Sequence, residues 1–451
     1  MTYYGNRIDR YETYPKNCLL YLVLCCNVSS FIQWLAAFGS KGFTAKVKEM
    51  QRFFGLATSG ELDQQTLAAM TRGRCGLSDT EQFGETTRWR TRTLSYRISS
   101  YSSQMKPPQI RKVFRAAWRI WARATPLKFK RTSTEADIVI SFNIKDHDDG
   151  SPFDGPGGTL GHAFLPGPGL GGDVHLDAEE NWTSSTTGYN LFAVAVHEFG
   201  HALGLAHSSD PGAVMFPTYQ FDPHTDLQLS FQDVQDIQTL YGKSPIKPGK
   251  PPPKTPDKCD PELSFDAVTG FQEELIFFKD RFMWRAHPTF EEIKTTLIRS
   301  LWSDMPTYID AAYENNGTIV IFKGSQYWEV KGLDMKDGFP RDISDFDFPL
   351  KIRSIDAALH FREISSVFRY DEKQKQMIDG YPQMIMHEWP AVPSPVDTAV
   401  AYGGLVYFFI GNRQLEFDPK LQHITNKMPA NAWLRCGGQR TMINMAIANN
   451  S

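Results

Sequence analysis

Eleven residues near the middle of the chain place three histidines at intervals that constrain the fold more than any other feature. The run reads His197-Glu198-Phe199-Gly200-His201-Ala202-Leu203-Gly204-Leu205-Ala206-His207. The apolar stretch 191–196 leads into it and predicts a buried helix, on which His197 and His201 lie one turn apart on one face. Gly204 accepts a backbone conformation that a β-carbon penalises, so the helix can end there and bring His207 in from a third direction. Three imidazoles with an open fourth position predict a catalytic zinc site.

Two further residues complete this pattern. Glu198 lies between the helical histidines in sequence but points off their axis, beside the expected open position. A carboxylate there can act as a general base toward water whose pKa zinc lowers to about 7. Met215 follows eight residues after His207 and fits the turn beneath the metal in the pattern H-E-x-x-H-x-x-G-x-x-H plus Met. The chain has only 11 histidines, and three fall within this span. This concentration disfavours ordinary core histidines. A metal-bound water beside a general base predicts hydrolysis of a peptide bond.

Length and charge limit the remaining possibilities. A chain of 451 residues is long enough for two or three domains, and its 41% hydrophobic content is that of a globular protein. The net charge of −3 and the lack of a basic stripe interleaved with aromatic residues argue against a nucleic-acid partner.

The six cysteines divide by position. Cys259 and Cys436 bracket the final part of the chain, and no CxxC accompanies either, which favours a long-range disulfide formed in an oxidising compartment over a zinc site. Cys75 stands alone ahead of the histidine run. As a thiolate across the cleft it would be the fourth ligand to zinc and keep an enzyme latent, while the alternative is a small buried apolar residue.

The first 39 residues contain one apolar run that suggests targeting. The apolar run 18–26 has the length of a signal peptide and follows basic residues, so we interpret it as a secretion signal; the alternative is a misassembled first segment. No later run reaches about 18 apolar residues, and we expect no transmembrane anchor.

Residues 43–70 predict two short helices, with Asp63 as the cap of the second. Strands are expected at 93–98, 136–142 and 174–176, and helices at 107–122 and 230–241, the last with a capping box at Ser230 and Asp233 and an end at Gly242. Strands alternating with helices around the zinc motif predict a mixed α/β domain.

A second group of metal-ligand types lies between residues 147 and 180. One set suits a closed structural zinc site: His147, Asp149, His162 and His175. A second offers the hard oxygen ligands that calcium prefers: Asp154, Asp177 and Glu180, with the glycine-rich run 155–158. A polar surface loop is the alternative to both.

A Pro/Lys-rich stretch, residues 243–258, predicts an extended linker. Beyond it a four-residue pattern recurs, in which an apolar residue is followed by aspartate. Its copies begin at Phe265, Ile309, Ile355 and Val396, in steps of 44, 46 and 41 residues, and three of them are each followed by an aromatic strand. This spacing predicts a four-bladed β-propeller that the disulfide would tie from first blade to last. The third copy lacks the aromatic strand. Propellers mostly bind, so we expect a recognition module.

With these residues in view, the chain resembles a secreted matrix metalloproteinase with a hemopexin-like domain, a metzincin of the collagenase and stromelysin kind, over roughly residues 42–436. The resemblance rests on HEFGHALGLAH with Met215, on SPFDGPGGTLGHAF, on GGDVHLD and on the four repeats. It implies a catalytic zinc on His197, His201 and His207, Glu198 as the catalytic base, and Cys75 as the zinc ligand of a latent zymogen. It assigns His147, Asp149, His162 and His175 to a structural zinc. It implies two calcium sets: Asp154, Gly155, Gly157, Thr159, Asp177 and Glu180, and Asp137, Gly169, Gly171 and Asp173.

The resemblance also implies an order of domains. We predict a signal-like N-terminus (1–39), a propeptide (40–82), a catalytic domain (83–242), the linker (243–258), the propeller (259–436) and a tail (437–451), with mature enzyme beginning near Gln82-Phe83. The fold class is therefore multidomain: a small helical propeptide, an α/β metzincin protease domain and a four-bladed hemopexin-like propeller.

The family's cysteine segment reads Pro-Arg-Cys-Gly-Val-Pro-Asp, whereas this chain has Gly73, Leu77 and Ser78 at three of these positions, so we expect Cys75 to be held less firmly. Ala193, four residues before His197, is expected to leave the main side-chain pocket open. Expected partners are extracellular matrix substrates, with inhibitors and matrix partners on the propeller and no nucleic acid or membrane anchor. An inert protein that binds matrix or sequesters inhibitors is the alternative function.

Overall fold

The computed structural model describes most of the chain after residue 39. The described residues are 40–54, 56–77, 87–185, 187–221, 227–245, 250–271, 274–287, 290, 292–302, 304–348, 351–360, 370–371, 376–377, 389 and 391–436. The signal-like run 18–26, Ser78 and the junction Gln82-Phe83 lie outside them. Two compact units meet at Thr255 and Pro256, within the predicted linker. The other predicted domain limits remain predictions.

Five helices in the described part of the first unit follow the predicted pattern closely. They are α1 Ser40–Phe53, α2 Gln64–Met70, α3 Pro107–Ala124, α4 Leu191–Ala202 and α5 Phe231–Tyr241. Side-chain caps fix where three of them begin: Asp63 accepts from the Thr66 amide, Asn190 from the Phe192 and Ala193 amides, and Ser230 from the Asp233 amide. Helix α3 runs two residues further than predicted and ends at Thr125, whose amide and hydroxyl both donate to the Trp121 carbonyl.

A six-stranded sheet packs against α3 and α4, with its strands in the order β1-β5-β6-β4-β2-β3. Its strands are β1 Arg74–Cys75, β2 Thr93–Ile98, β3 Lys128–Arg131, β4 Ile138–Asn143, β5 Thr159–Ala163 and β6 Val174–Asp177, and a short separate ladder joins β7 Trp182–Thr183 to β8 Tyr189–Asn190. Only the β5–β6 pairing is antiparallel. The mixed α/β prediction is confirmed, but the segment holding Cys75 was not expected to be a strand of this sheet.

The core of this unit holds the zinc-motif helix in place. The rings of Trp118 on α3 and Phe199 on α4 stack with centroids 3.8 Å apart, and the Trp121 indole N–H donates to the Val196 carbonyl at 2.9 Å. Because α4 is buried along nearly its whole length, the direction of its histidines is fixed by packing.

The second unit consists of antiparallel sheets. The first has β9 Ala267–Phe271, β10 Glu274–Lys279, β11 Phe282–Ala286 and β12 Thr296–Leu297, followed by α6 Ile298–Leu301. The next has β13 Ala311–Asn315, β14 Thr318–Lys323, β15 Gln326–Lys331, β16 Asp334–Met335 and β17 Arg341–Asp342, and then a 3-10 turn at Ile343–Phe346. A small pair, β18 Tyr370–Asp371 and β19 Gln376–Met377, precedes the last sheet, β20 Thr398–Tyr402, β21 Leu405–Ile410, β22 Arg413–Asp418 and β23 His423–Pro429, and a 3-10 turn at Ala430–Leu434.

The recurring sequence pattern corresponds to a recurring contact. The amides of Asp266, Asp310 and Asp397 each donate to the carbonyl of a phenylalanine on the second strand of their own sheet, at 2.8 to 2.9 Å. These three repeats therefore each form a sheet of the predicted propeller, and the predicted disulfide joins Cys259 to Cys436. Much of the weak third repeat lies outside the described residues. No helix in the described ranges is long and apolar enough to span a bilayer.

Candidate active site

The three histidines of the central motif converge as predicted. The Nε2 atoms of His197 and His201 lie 3.1 Å apart, and the ligand atoms of His197, His201, His207 and Cys75 all lie within 4.8 Å of one another. Helix α4 ends at Ala202, and Gly204 has a φ of +102°, which carries the chain round to His207. The four residues form one potential tetrahedral donor set.

The hydrogen bonds on the far side of two rings decide what this set can hold. His197 Nδ1 lies 2.7 Å from the Val214 carbonyl and His201 Nδ1 lies 2.7 Å from the Leu205 carbonyl. A carbonyl oxygen only accepts, so each Nδ1 carries the proton and each Nε2 presents a lone pair. Burial holds the pKa of His201 well below its usual value, so the ring stays neutral. Two lone pairs facing each other at 3.1 Å need a cation between them, and the donor set fits zinc.

Glu198 and Cys75 meet beside this point. The Cys75 thiol donates to Glu198 Oε2 at 3.5 Å, and both groups are buried. Burial, together with the negative charge of Glu198, raises the pKa of Cys75 well above its usual value, and burial raises the pKa of Glu198 to about 8. A cation at the histidines would favour the anionic forms of both groups.

The segment around Cys75 lies in a cleft between two backbone edges. On one side the amides of Arg74 and Gly76 donate to the carbonyls of Gly158 and Gly161, both at 2.8 Å. On the other side the Cys75 amide donates to the Pro217 carbonyl at 2.9 Å, and the Tyr219 amide donates to the Gly73 carbonyl at 2.8 Å. An extended chain is therefore hydrogen-bonded on both sides at the histidine cluster.

The second predicted zinc set also converges. His162 Nε2, His175 Nδ1 and His147 Nε2 lie 2.7, 2.6 and 2.8 Å from one oxygen, Asp149 Oδ2. His147 Nδ1 lies 2.7 Å from the Lys145 carbonyl, so its Nε2 turns a lone pair toward a carboxylate that also only accepts. Burial lowers the pKa of His175 to about 4, which disfavours a protonated ring. A cation satisfies this arrangement, and three imidazoles with one carboxylate fit a structural zinc.

The first predicted calcium set surrounds a glycine-rich loop. Glu180 Oε1 accepts from the Gly157 amide at 2.7 Å, Asp154 Oδ1 accepts from the Thr159 amide at 3.0 Å, and Asp177 is fully buried. Burial raises the pKa of all three carboxyls, and the charges of Asp177 and Asp154 help raise that of Glu180 to about 7. Buried carboxylates that repel one another fit a hard cation.

The second calcium set has less support. Asp137 Oδ2 accepts from the amide and hydroxyl of Ser95, both at 2.7 Å, while Asp173 Oδ1 accepts from the Val139 amide at 2.8 Å. These two carboxylates thus make separate hydrogen bonds, and no contact of Gly169 or Gly171 described in the structure joins them. The set remains a prediction.

Comparison with known proteins agrees with this geometry. Residues 88–242 match the Matrixin family, residues 309–349 and 396–436 match Hemopexin, and residues 37–70 match a family described as a putative peptidoglycan binding domain. Matrix metalloproteinase-18 of Xenopus laevis is 44% identical over 411 residues, which is 87% of this chain and 87% of that protein.

The chain belongs to the matrix metalloproteinase family. Human neutrophil collagenase is 44% identical over 412 residues, covering 88% of each chain, and bovine interstitial collagenase is 44% identical over 408 residues, covering 87% of each. This matrix metalloproteinase is a secreted metalloendopeptidase that depends on zinc and calcium and acts on extracellular matrix proteins. Its propeptide, protease and hemopexin-like regions confirm the predicted fold class.

One residue of the metalloproteinase site was not recognised from sequence. Asp233 was predicted only as part of a helix cap, but its carboxylate also accepts from the amides of Val214 (2.8 Å) and Met215 (3.1 Å). The Val214 carbonyl in turn orients His197. Asp233 is buried, and burial raises its pKa. Its position three residues after a serine cap gave no signal of this second contact.

Proposed function

We propose that His197, His201 and His207 bind the catalytic zinc of this metalloproteinase, that Glu198 is its general base, and that Cys75 is the fourth ligand in the latent form. The observation that carries the proposal is the pair of Nε2 lone pairs facing each other at 3.1 Å, each fixed by a carbonyl behind the ring. Cys75, at the same point, is the only described cysteine without a disulfide.

Zinc bound there supplies a Lewis acid that polarises the scissile carbonyl and makes water acidic enough to lose a proton near neutral pH. Glu198 Oε2, which accepts from the Cys75 thiol in the latent form, takes that proton once the thiol has left and passes it to the leaving amine. The Gly158, Gly161 and Pro217 carbonyls and the Tyr219 amide, now engaged by residues 73–76, then bind the backbone of an extended substrate.

Cleavage of a quenched peptide tests these roles. After removal of the propeptide, Glu198→Ala is expected to lower kcat by a factor of at least about 100, because a general base contributes about 100-fold or more to the rate. The zinc content is expected to stay unchanged. A chelator is expected to abolish the activity and added zinc to restore it. Zinc content that is unaffected by His201→Ala, or substantial activity in Glu198→Ala, would contradict the assignment.

The remaining metal ligands belong to the same proposal. His147, Asp149, His162 and His175 bind a structural zinc, and Asp154, Gly155, Gly157, Thr159, Asp177 and Glu180 bind calcium, with Asp137, Gly169, Gly171 and Asp173 as a second calcium set.

The propeller binds matrix partners and protein inhibitors. Because several relatives are named collagenases, native collagen is the first substrate to test.

Ala193 bears on the choice of substrate. Its small side chain is buried on α4 one turn before His197, which supports an open pocket for the residue after the scissile bond. A peptide library is expected to show preference for long apolar residues at that position, and Ala193→Arg is expected to shift the preference toward small ones. A wild-type preference for small residues would refute this.

A further inference from the structure

The charge of this protein is unevenly distributed along the chain. The whole sequence carries a net charge of −3, yet residues 87–134 contain thirteen lysines and arginines and no aspartate or glutamate. The overall balance argues against a nucleic-acid partner but does not reveal this local concentration of basic residues. The fold brings much of this positive charge to one side of α3.

Helix α3 presents a row of arginines on the side opposite its apolar face. Phe114, Trp118 and Trp121 are buried against the core. The row itself consists of Arg111, Arg115, Arg119 and Arg123, of which the last three are exposed and the first is half-buried. A spacing of four residues separates neighbours by about 6 Å along the axis, so the row is about 18 Å long. Lys112, also exposed, lies beside it.

The edge strand β3 extends this surface. Its Phe129 stacks on Trp118 with centroids 4.4 Å apart, which holds the strand against α3. Arg131 pairs with Tyr96 across the sheet, and although burial raises the pKa of Tyr96, the charges of both Arg115 and Arg131 act against that rise. Arg115 of the helix and Arg131 of the strand thus both act on Tyr96. We use the name basic face for six residues: Arg111, Lys112, Arg115, Arg119, Arg123 and Arg131.

No described carboxylate neutralises this face. Within the described part of the chain, no aspartate or glutamate oxygen lies within 4.0 Å of its basic groups, although ion pairs occur elsewhere. Like charges four residues apart on a helix destabilise it. A linear row of unpaired guanidinium groups matches a linear anion, since guanidinium forms paired hydrogen bonds to tetrahedral oxyanions.

We propose that the basic face binds a sulfated polysaccharide chain of the extracellular matrix. The protein is secreted, which places it among such polyanions. Binding of single-stranded nucleic acid relies on exposed aromatic rings for base stacking, whereas the large aromatic side chains of α3 are buried. A membrane surface would require an exposed apolar flank, and the apolar side of α3 is covered by the core. None of the six residues belongs to the proposed metal sites or to the cleft.

The test measures binding of a heparin dodecasaccharide to the full-length latent protein by titration calorimetry at several salt concentrations. The variant is Arg111→Gln, Arg115→Gln, Arg119→Gln and Arg123→Gln together. The matched control removes the same charge from exposed propeller positions: Lys331→Gln, Lys351→Gln, Lys420→Gln and Lys427→Gln. Thermal melting and peptide cleavage after activation verify that both proteins fold.

The wild type is expected to bind with an affinity that falls steeply with salt, since each contact releases about one counterion. The α3 variant is expected to bind at least tenfold more weakly, with a smaller slope against log salt, while the control changes less than twofold. Equal weakening in both proteins would mean that net charge alone is responsible and would overturn the proposal. Tighter binding of single-stranded DNA or of phosphatidylserine vesicles than of the dodecasaccharide would overturn it as well.

Discussion

At the scale of single residues, the space beside Gly73 is already filled. A β-carbon at this position would lie 2.6 Å from Cε1 of Tyr189 and 2.9 Å from its hydroxyl oxygen. The Tyr189 ring also packs edge-on against Tyr219, which binds the Gly73 carbonyl. Only glycine at position 73 leaves room for the Tyr189 ring. The replacement of the family's proline by Gly73 therefore affects packing as well as chain stiffness.

Gly73→Ala is expected to weaken latency. Overpacking costs about 1 to 3 kcal/mol, which corresponds to activation by a thiol-modifying reagent that is roughly fivefold faster or more. The measurement is the rate at which peptidase activity appears. Gly42→Ala on α1 is the control, because a β-carbon there meets no atom within 4 Å. An unchanged rate in Gly73→Ala would show that Tyr189 moves aside without cost.

At the scale of elements, the start of α5 and the loop before it act as one unit. The two oxygens of Asp233 accept from the amides of Ser230, Val214 and Met215. The cap of a surface helix thereby also fixes the loop that runs beneath the proposed zinc site. Because the carboxylate is buried, its loss leaves amides without a partner.

Asp233→Ala is expected to lower stability by about 3 kcal/mol or more, since each buried unpaired amide costs about 1 to 3 kcal/mol. Asp233→Asn keeps one accepting oxygen and is expected to have a smaller effect. Thermal melting in a Glu198→Ala background, where autolysis is prevented, measures both. Similar melting temperatures for Asp233→Ala and the parent protein would disprove the coupling.

At the scale of the whole molecule, the predicted linker is anchored to the first unit before it ends. The Phe231 amide at the start of α5 donates to the Pro253 carbonyl at 2.8 Å, and the Thr255 hydroxyl donates to Asp210 Oδ1 at 2.5 Å. Asp210 also accepts from the Gly212 amide in the loop that follows His207. Residues 253–255 are therefore docked, which the proline and lysine composition alone did not predict.

Thr255→Val is expected to release this anchor while preserving side-chain shape. Loss of a half-exposed hydrogen bond to a carboxylate costs about 1 kcal/mol, so hydrogen exchange at the Phe231 amide and tryptic cleavage after Lys254 should be roughly fivefold faster. Thr239→Val, which removes a hydroxyl that donates to the Gln235 carbonyl on α5, is the control. If both variants behave alike, the anchor contributes nothing.

The sequence alone determined the features that depend on short-range geometry. Histidines four residues apart share a helix face, serine and aspartate cap the helices that follow them, and three of the four recurring aspartates make the same contact in their sheets. The match of local pattern to local structure made the fold class and the convergence of His197 and His201 predictable, whereas the set of His147, Asp149, His162 and His175 was assigned through the family resemblance.

Only the tertiary structure decided how distant groups act on these local features. The carbonyls of Val214 and Leu205 select which nitrogen of His197 and His201 faces the proposed zinc, Tyr189 occupies the space beside Gly73, and Asp233 joins a helix cap to the loop beneath the proposed zinc site. The row of arginines on α3 follows from its four-residue spacing, but only folding adds Arg131 of β3 to it and places no described carboxylate within 4.0 Å of the basic face. Lone-pair direction, close packing and charge pairing depend on burial and on partners far away in sequence, which no local pattern encodes.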